Sequence, residues 1–382
     1  MPSVVVLGAT GSIGKSAADV LAANKDIYQV HTIAACNNIA ELTRQCGVLS
    51  PANVITASKE KFPELQKSIG SRAVTAWGME AMTDAVVQDD VDMVLCAIIG
   101  TAGIKPVLAA LKAGKHVALA SKEVLVLAGE LVMKAASESP GGRIVPVDSE
   151  HSGVFQCLAG RSKEEIRKIW LTASGGPFRN WEKEKIANAT VEQALAHPTW
   201  NMGKKITIDS ASMMNKALEL IEAKYLFDLT PDQLDVVINP QSIVHALAEL
   251  SDGSMLAQMS VPDMRLAIAY GLSYPQRLTK PGSNLNLAEI GKLEFFAPDK
   301  NKFPSLEFAD AALRAGGTLP AVMNAANEVA VERFCAGEIK FSGIWKIVGE
   351  VMESMTVEPQ ESLEQILEAD AEARARAKEI CG

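Results

Sequence analysis

Two carboxylates, Asp148 and Glu150, stand just past an apolar run, Arg143–Val147. In an extended segment, period two puts both on the same side. If the run is a parallel strand, they emerge at its carboxyl end, where open α/β sheets place ligands. Carboxylates so close repel unless a cation or a proton lies between them. All-oxygen ligation suits Mg2+ or Mn2+. A solvated loop with helix-capping acids explains the same residues, and the pattern alone does not choose.

Further on, Asp209-Ser210 reads as the end of a strand and as the N-cap of a helix from Ala211 to about Phe227. Ser212, Asn215, Lys216, Glu219 and Glu222 recur at helical spacing, so they share one face. Met214, Leu218, Ile221 and Tyr225 lie on another face and are expected to be buried. Ser210, Asn215 and Lys216 near a helix N-terminus make a ready phosphate site. Glu219 lies one turn on, about 6 Å along the axis. A phosphate at one end and a carboxylate-bound metal at the other would bracket a small phosphosugar. A plain solvated face is the competing reading.

Two loops fit the same picture. Ser174-Gly175-Gly176-Pro177-Phe178 follows a strand, and its glycines admit an anion close to backbone, with the Ser174 hydroxyl alongside. His197-Pro198-Thr199-Trp200-Asn201-Met202-Gly203 carries an aromatic between Pro and Gly. It reads as a lid that excludes water, or as a loop anchored by a packed Trp200.

A dinucleotide loop opens the chain. Gly8-Ala9-Thr10-Gly11-Ser12-Ile13-Gly14 follows the first apolar run and starts a helical segment. Gly8 permits the tight turn, Gly11 lets backbone approach a pyrophosphate, and Gly14 lets helix and strand pack closely. The helix N-terminus supplies N–H groups and positive dipole. At the end of the second strand, Ala34-Ala35-Cys36-Asn37-Asn38 contains no acid. A carboxylate there would repel a 2′-phosphate, so its absence favours NADP over NAD.

Elements that position these residues follow from periodicity. Through residue 147, short β-branched runs alternate with helical periods, which means βαβ units in a mostly parallel, doubly wound sheet. After Asp148 strand signals appear at Lys168–Thr172, Lys205–Ile208, Val236–Ile238, Ile243–Leu250 and Ser254–Met259, the last two joined by the hairpin turn Ser251-Asp252-Gly253. The expected organisation is an α/β dinucleotide domain over 1–147, an α+β catalytic domain over 148–274, a Pro-rich linker over 275–304 and a small helical domain over 305–382.

The chain has 382 residues, 48% hydrophobic and 22% charged, which excludes a disordered chain. Its net charge of −9 disfavours broad nucleic-acid binding, which needs a basic face. No apolar run is long enough to span a membrane, and Met1-Pro2-Ser3-Val4 runs into a strand without a basic leader. Six scattered cysteines without a CxxC pair read as free thiols in a reducing cytoplasm. Cys157 reads as a packed thiol rather than a nucleophile.

Taken in order, GATGSIG at 8–14, SKE at 121–123, VDSEHS at 147–152, TASGGPF at 172–178, HPTWNMG at 197–203, IDSASMMNKALELIEA at 208–223 and NPQSIVH at 239–245 resemble the 1-deoxy-D-xylulose-5-phosphate reductoisomerase family along the whole chain. The resemblance implies rearrangement of a phosphosugar carbon skeleton and reduction of the aldehyde by NADPH, in a homodimer. It implies Asp148, Glu150 and Glu219 as ligands of one divalent cation, Mn2+, Mg2+ or Co2+. It implies Ser174, Ser210, Asn215 and Lys216 on the phosphate, and Lys122, Ser149, Glu150, His197 and Trp200 against the rest of the substrate. Lys122, Glu150 and His197 would be catalytic. Gly8, Thr10, Gly11, Ser12 and Ile13 would hold the cofactor phosphates, with Glu123 and Gly203 near its nicotinamide half; Ser121, where the family usually has Asn, would also contact the cofactor. At the adenosine end this chain has Cys36, Asn37 and Asn38 where the family commonly has Gly, Lys and Asn.

Two other classes remain in view. A semialdehyde or homoserine dehydrogenase pairs similar domains, and the semialdehyde type needs a nucleophilic Cys with a His base. A redox-sensing dinucleotide-binding regulator would explain the glycine loop alone.

Overall fold

In the computed structural model, residues 1–200, 202–279 and 282–382 are described; Asn201 of the lid and Pro281 of the Pro-rich segment lie outside that set. The chain forms two compact units. The first comprises Met1–Val124, Val132–Ser152 and Asp263–Ser283, and the second Leu125–Leu131, Gly153–Pro262 and Asn284–Gly382.

The first unit is built on seven strands: β1 Ser3–Leu7, β2 Gln29–Ala35, β3 Asn53–Thr56, β4 Val74–Trp77, β5 Met93–Cys96, β6 His116–Leu119 and β7 Arg143–Pro146. Their order is β4-β3-β2-β1-β5-β6-β7, and every pairing is parallel. The order reverses between β1 and β5, and Gly8 follows β1 at this switch point, where open sheets bind ligands. Val4-Val5-Val6-Leu7 is wholly buried, as a parallel strand covered on both faces requires. Val4 and Val6 pack with Ala17 and Leu21 of helix Ser12–Ala23. Ile268 and Leu272 of helix Met264–Ser273 join the same core. That helix approaches so closely that a Cβ on Gly271 would lie 2.9 Å from Val147.

The second unit contains β8 Ile166–Ala173, β9 Leu234–Ile238, β10 Val244–Leu250 and β11 Met255–Met259, in the order β11-β10-β8-β9. The hairpin expected at Ser251-Asp252-Gly253 joins β10 to β11 antiparallel. Outside β9, Phe296 bridges Ile238. The C-terminal region is helical as expected: Ser305–Ala315, Leu319–Cys335, Phe341–Ser354 and Leu363–Cys381.

Two local expectations fail. Lys205–Ile208 is not a strand but lies in helix Lys204–Ala211. Its β-branched Ile206, Thr207 and Ile208 suggest a strand by propensity, which tertiary packing routinely overrides. Ile208 and Ala211 are fully buried, Lys205 pairs with Asp209 one turn on at 2.7 Å, and Asn327 of helix Leu319–Cys335 donates to Asp209 at 2.9 Å. Nor are Asp148 and Glu150 alternate residues of an extended segment. β7 stops at Pro146, and a helix starts at Ser149. Among the described residues, no helix is long and apolar enough to cross a membrane.

Candidate functional site

The glycine loop is shaped by sterics. Gly8 has φ +84°, and a Cβ there would lie 2.3 Å from the Ala97 carbonyl oxygen. A Cβ on Gly14 would lie 2.3 Å from the Gly8 carbonyl oxygen. The turn is held by the Gly8 and Ala9 N–H groups, both donating to the Ala34 carbonyl at 2.9 Å. Helix Ser12–Ala23 starts with no side-chain cap on its N-terminus. Its first-turn donors are therefore not claimed by a cap and can face an anion. Gly11 and Ser12 are exposed, Thr10 and Ile13 half-buried. At the end of β2, Cys36, Asn37 and Asn38 are exposed, and Asn38 caps helix Ile39–Leu49 by accepting from Glu41 N–H at 3.1 Å. Ser121 precedes helix Lys122–Glu138 and donates to the Ile98 carbonyl at 2.5 Å.

Lys122 opens that helix, and its ammonium sits 2.5 Å from the Asp148 carboxylate. His151, fully buried, faces the other Asp148 oxygen at 3.9 Å. Burial pushes the Asp148 carboxyl up, but the Lys122 ammonium and His151 outweigh it and hold the group well below the usual carboxylate range. Ser149 donates to Glu150 at 2.6 Å within the first helical turn. The structure thus groups Lys122, Asp148, Ser149, Glu150 and His151 in the first unit. His151 lies inside the VDSEHS motif, but period two from Asp148 passes over it.

The polar stripe belongs to the second unit and is not a solvated face. Lys216, Glu219 and Glu222 are as buried as the apolar Met214, Leu218 and Ile221, while Tyr225 is half-buried. Asn215 donates to one Glu219 oxygen and Lys216 pairs with the other. The two nitrogens therefore contact Glu219 directly rather than standing a turn away from it. The cap expected at Asp209-Ser210 is absent. Helix Lys204–Ala211 ends there, Met213 adopts a left-handed conformation at φ +63°, and a new helix runs Met214–Phe227.

Across the loop after β8, Gly176 has φ +65°, and a Cβ on it would lie 2.7 Å from the Ser210 carbonyl oxygen. Only glycine allows these two backbones to approach so closely. Ser174 Oγ accepts from the Gly176 N–H at 3.1 Å and lies 3.0 Å from His197 Nε2. His197 Nδ1 lies 3.2 Å from the Thr199 nitrogen and 2.9 Å from the Trp200 nitrogen. Both are backbone N–H donors, so Nδ1 is the unprotonated acceptor and Nε2 carries the hydrogen. His197 is thus neutral. Burial agrees, pushing its pKa down to about 4. Ser174 Oγ then accepts twice, and its own hydrogen is left to donate. Gly203 caps helix Lys204–Ala211 and accepts from Thr207 Oγ1 at 2.8 Å.

The NPQSIVH segment, part of the resemblance but without an assigned role, holds the lid segment in place. Asn239 is fully buried and accepts from the N–H groups of Ile243 and Val244, each at 3.2 Å. Ser242 lies 3.2 Å from Thr199 Oγ1, and the Trp200 ring is 6.4 Å from that of His245. This loop therefore seats the Trp200 segment. Cys157 is buried, and burial pushes its thiol up, away from thiolate chemistry.

Family models match three stretches: 1-deoxy-D-xylulose 5-phosphate reductoisomerase over residues 4–129, its C-terminal domain over 144–227, and the DXP reductoisomerase C-terminal domain over 259–376. The chain is similar to the 1-deoxy-D-xylulose 5-phosphate reductoisomerase of Thermodesulfovibrio yellowstonii, 46% identical with both chains fully covered. It is likewise 48% identical to that of Pelotomaculum thermopropionicum, over 98% of this chain and 97% of the relative. Among solved structures, the Zymomonas mobilis enzyme in complex with NADPH matches with TM-score 0.93 and 41% identity, over 100% of this chain and 98% of that one. A reductoisomerase in complex with NADPH, fosmidomycin and magnesium matches with TM-score 0.92 and 38% identity, with the same coverage.

Proposed function

The chain belongs to the 1-deoxy-D-xylulose 5-phosphate reductoisomerase family, an NADPH- and divalent-metal-dependent enzyme that forms 2-C-methyl-D-erythritol 4-phosphate, and we propose that Asp148, Glu150 and Glu219 together hold its cation. The observation that carries this reading is that the acids draw positive partners: Lys122 sits beside Asp148 and holds it ionised, and Lys216 pairs with buried Glu219. Two half-buried carboxylates and the buried Glu219 make a hard oxygen donor set, which fits Mg2+ or Mn2+. When bound, the cation supplies Lewis-acid stabilisation of negative charge on substrate oxygens.

The chain's own groups do the rest. Ser174, Ser210, Asn215 and Lys216 bind the substrate phosphate, and that remote binding energy positions the reacting carbons. Ser174 acts as a donor because its oxygen already accepts twice. His197 acts through its neutral Nε2–H, which orients Ser174 and the substrate, and it moves no proton. Lys122, Ser149 and Glu150 contact the sugar oxygens. Trp200, seated against His245 at the start of β10, covers the substrate and excludes water. The uncapped helix after Gly11 receives the cofactor pyrophosphate, with Gly8, Thr10, Ser12 and Ile13 around it. Cys36, Asn37 and Asn38 meet the adenosine end, and Ser121, Glu123 and Gly203 the nicotinamide end.

The enzyme works as a homodimer in the cytoplasm. Strand β11 is an exposed sheet edge with a half-exposed Met255, the kind of edge that pairs with another copy. Six free thiols suit a reducing compartment.

The test is direct. Protein, NADPH, Mn2+ and 1-deoxy-D-xylulose 5-phosphate are mixed, and cofactor absorbance is followed with and without chelator. Substrate-dependent NADPH loss that chelator abolishes is expected. Metal-independent turnover would refute the cation assignment.

A further inference from the structure

The helix break at Ser212-Met213 creates a difficulty. In an unbroken helix the Ser212 carbonyl would accept from residue 216. Here Met213 is left-handed and the ladder restarts, with the Ala217 N–H donating to Met213. The Ser212 carbonyl is left inside the protein, since Ser212 is fully buried. A buried carbonyl without a partner is strongly destabilising.

Its partners come from far along the chain. Ser305 Oγ donates to it at 2.8 Å, and Trp345 Nε1 lies 3.3 Å from it. Trp345 Nε1 is also 2.9 Å from Ser305 Oγ. The three groups close a triangle in which the indole N–H feeds the Ser305 oxygen and the Ser305 hydrogen goes to the carbonyl. Ser305 is fully buried. The Trp345 ring is fixed edge-on by Phe341 and Phe303, at centroid distances of 5.2 and 6.3 Å.

We propose that Ser305 and Trp345 are positioning residues for the phosphate-binding corner. They stabilise the break that presents Ser210 from one helix end and Asn215-Lys216 from the next helix start to a single anion. Neither touches substrate. Met213 in the left-handed region is held against its own preference, so removing the clamp lets the corner relax toward a continuous helix. Asn215 and Lys216 then rotate away from Ser210. This inference rests on the phosphate reading given above.

The experiment compares Ser305→Ala, Ser305→Thr and Trp345→Phe with wild type. Each is assayed for KM of the phosphosugar, kcat, KM of NADPH, inhibition by inorganic phosphate, and melting temperature. Loss of one net hydrogen bond, converted to binding, predicts KM and the phosphate inhibition constant about fivefold higher in Ser305→Ala and Trp345→Phe. NADPH KM stays at wild type, and Ser305→Thr, which keeps the hydroxyl, restores phosphosugar KM. A merely structural role lowers melting temperature while KM and phosphate inhibition stay unchanged, and that result overturns the proposal. If Ser305→Ala does not fold, Trp345→Phe decides, because it keeps an aromatic ring between Phe341 and Phe303 while removing the indole N–H. Lys216→Ala separates the two readings. If it leaves phosphate inhibition intact, the phosphate site itself is misassigned; if it abolishes inhibition while the clamp variants do not weaken it, only the clamp fails.

Discussion

Ser174→Ala is the sharpest test of the phosphate chemistry. Two groups already donate to Ser174 Oγ: the Gly176 N–H at 3.1 Å and the neutral His197 ring at 3.0 Å. The hydroxyl hydrogen is therefore left to donate to the proposed phosphate. A hydrogen bond to a charged group is worth about 2 kcal/mol, which is about 30-fold in binding. The alanine also leaves Gly176 and His197 without an acceptor, so substrate loss should fall at the upper end. Steady-state NADPH oxidation should show kcat/KM for the phosphosugar lowered about 30-fold, most of it in KM. NADPH KM should be unchanged, because Ser174 is not among the residues assigned to the cofactor. Since His197 titrates at about 4, KM should carry no His197 dependence between pH 6 and 8. A kcat/KM within about threefold of wild type, or a KM that rises as pH drops from 7 to 6 and is flat in His197→Gln, would refute the donor assignment.

Glu219→Gln should abolish turnover and leave NADPH affinity, read by fluorescence titration, within about twofold; loss of cofactor binding would place Glu219 elsewhere in the mechanism. Gly8→Ala should cost cofactor affinity and melting temperature together, since its Cβ would meet the Ala97 carbonyl at 2.3 Å on a left-handed backbone; wild-type NADPH binding would count against the loop's fit. His116 is held neutral by burial and by Arg143, with its pKa near 4 rather than 6.5. The unfolded chain binds the extra proton, so stability present above pH 6.5 is lost as pH falls toward 4. The full acid-side loss is about 3 kcal/mol. Denaturant midpoints at pH 7 and 4.5 should converge in His116→Gln, and an undiminished acid loss there would remove His116 as the cause.

What the sequence carried was local. Gly8, Gly11 and Gly14 sit between an apolar run and a helical period, and their spacing already dictates a turn, a close approach and a helix start. The alternation through residue 147 specified a parallel sheet because strand and helix periods differ over short windows. The hairpin at Ser251-Asp252-Gly253 was readable for the same reason. Asp148 and Glu150 were legible as residues but not as geometry, because two residues of spacing mean one side in a strand and something else at a helix start. Only the tertiary structure decided what depends on distant partners. Ile206-Thr207-Ile208 favours a strand by propensity, yet burial against helix Leu319–Cys335 makes it a helix. The His197 tautomer is set by the Thr199 and Trp200 backbones, and the Ser174 donor by that tautomer. The Ser212 carbonyl finds Ser305 and Trp345 some 93 and 133 residues away. Hydrogen-bond satisfaction at a buried helix break is a property of packing, and no local pattern of residues encodes it.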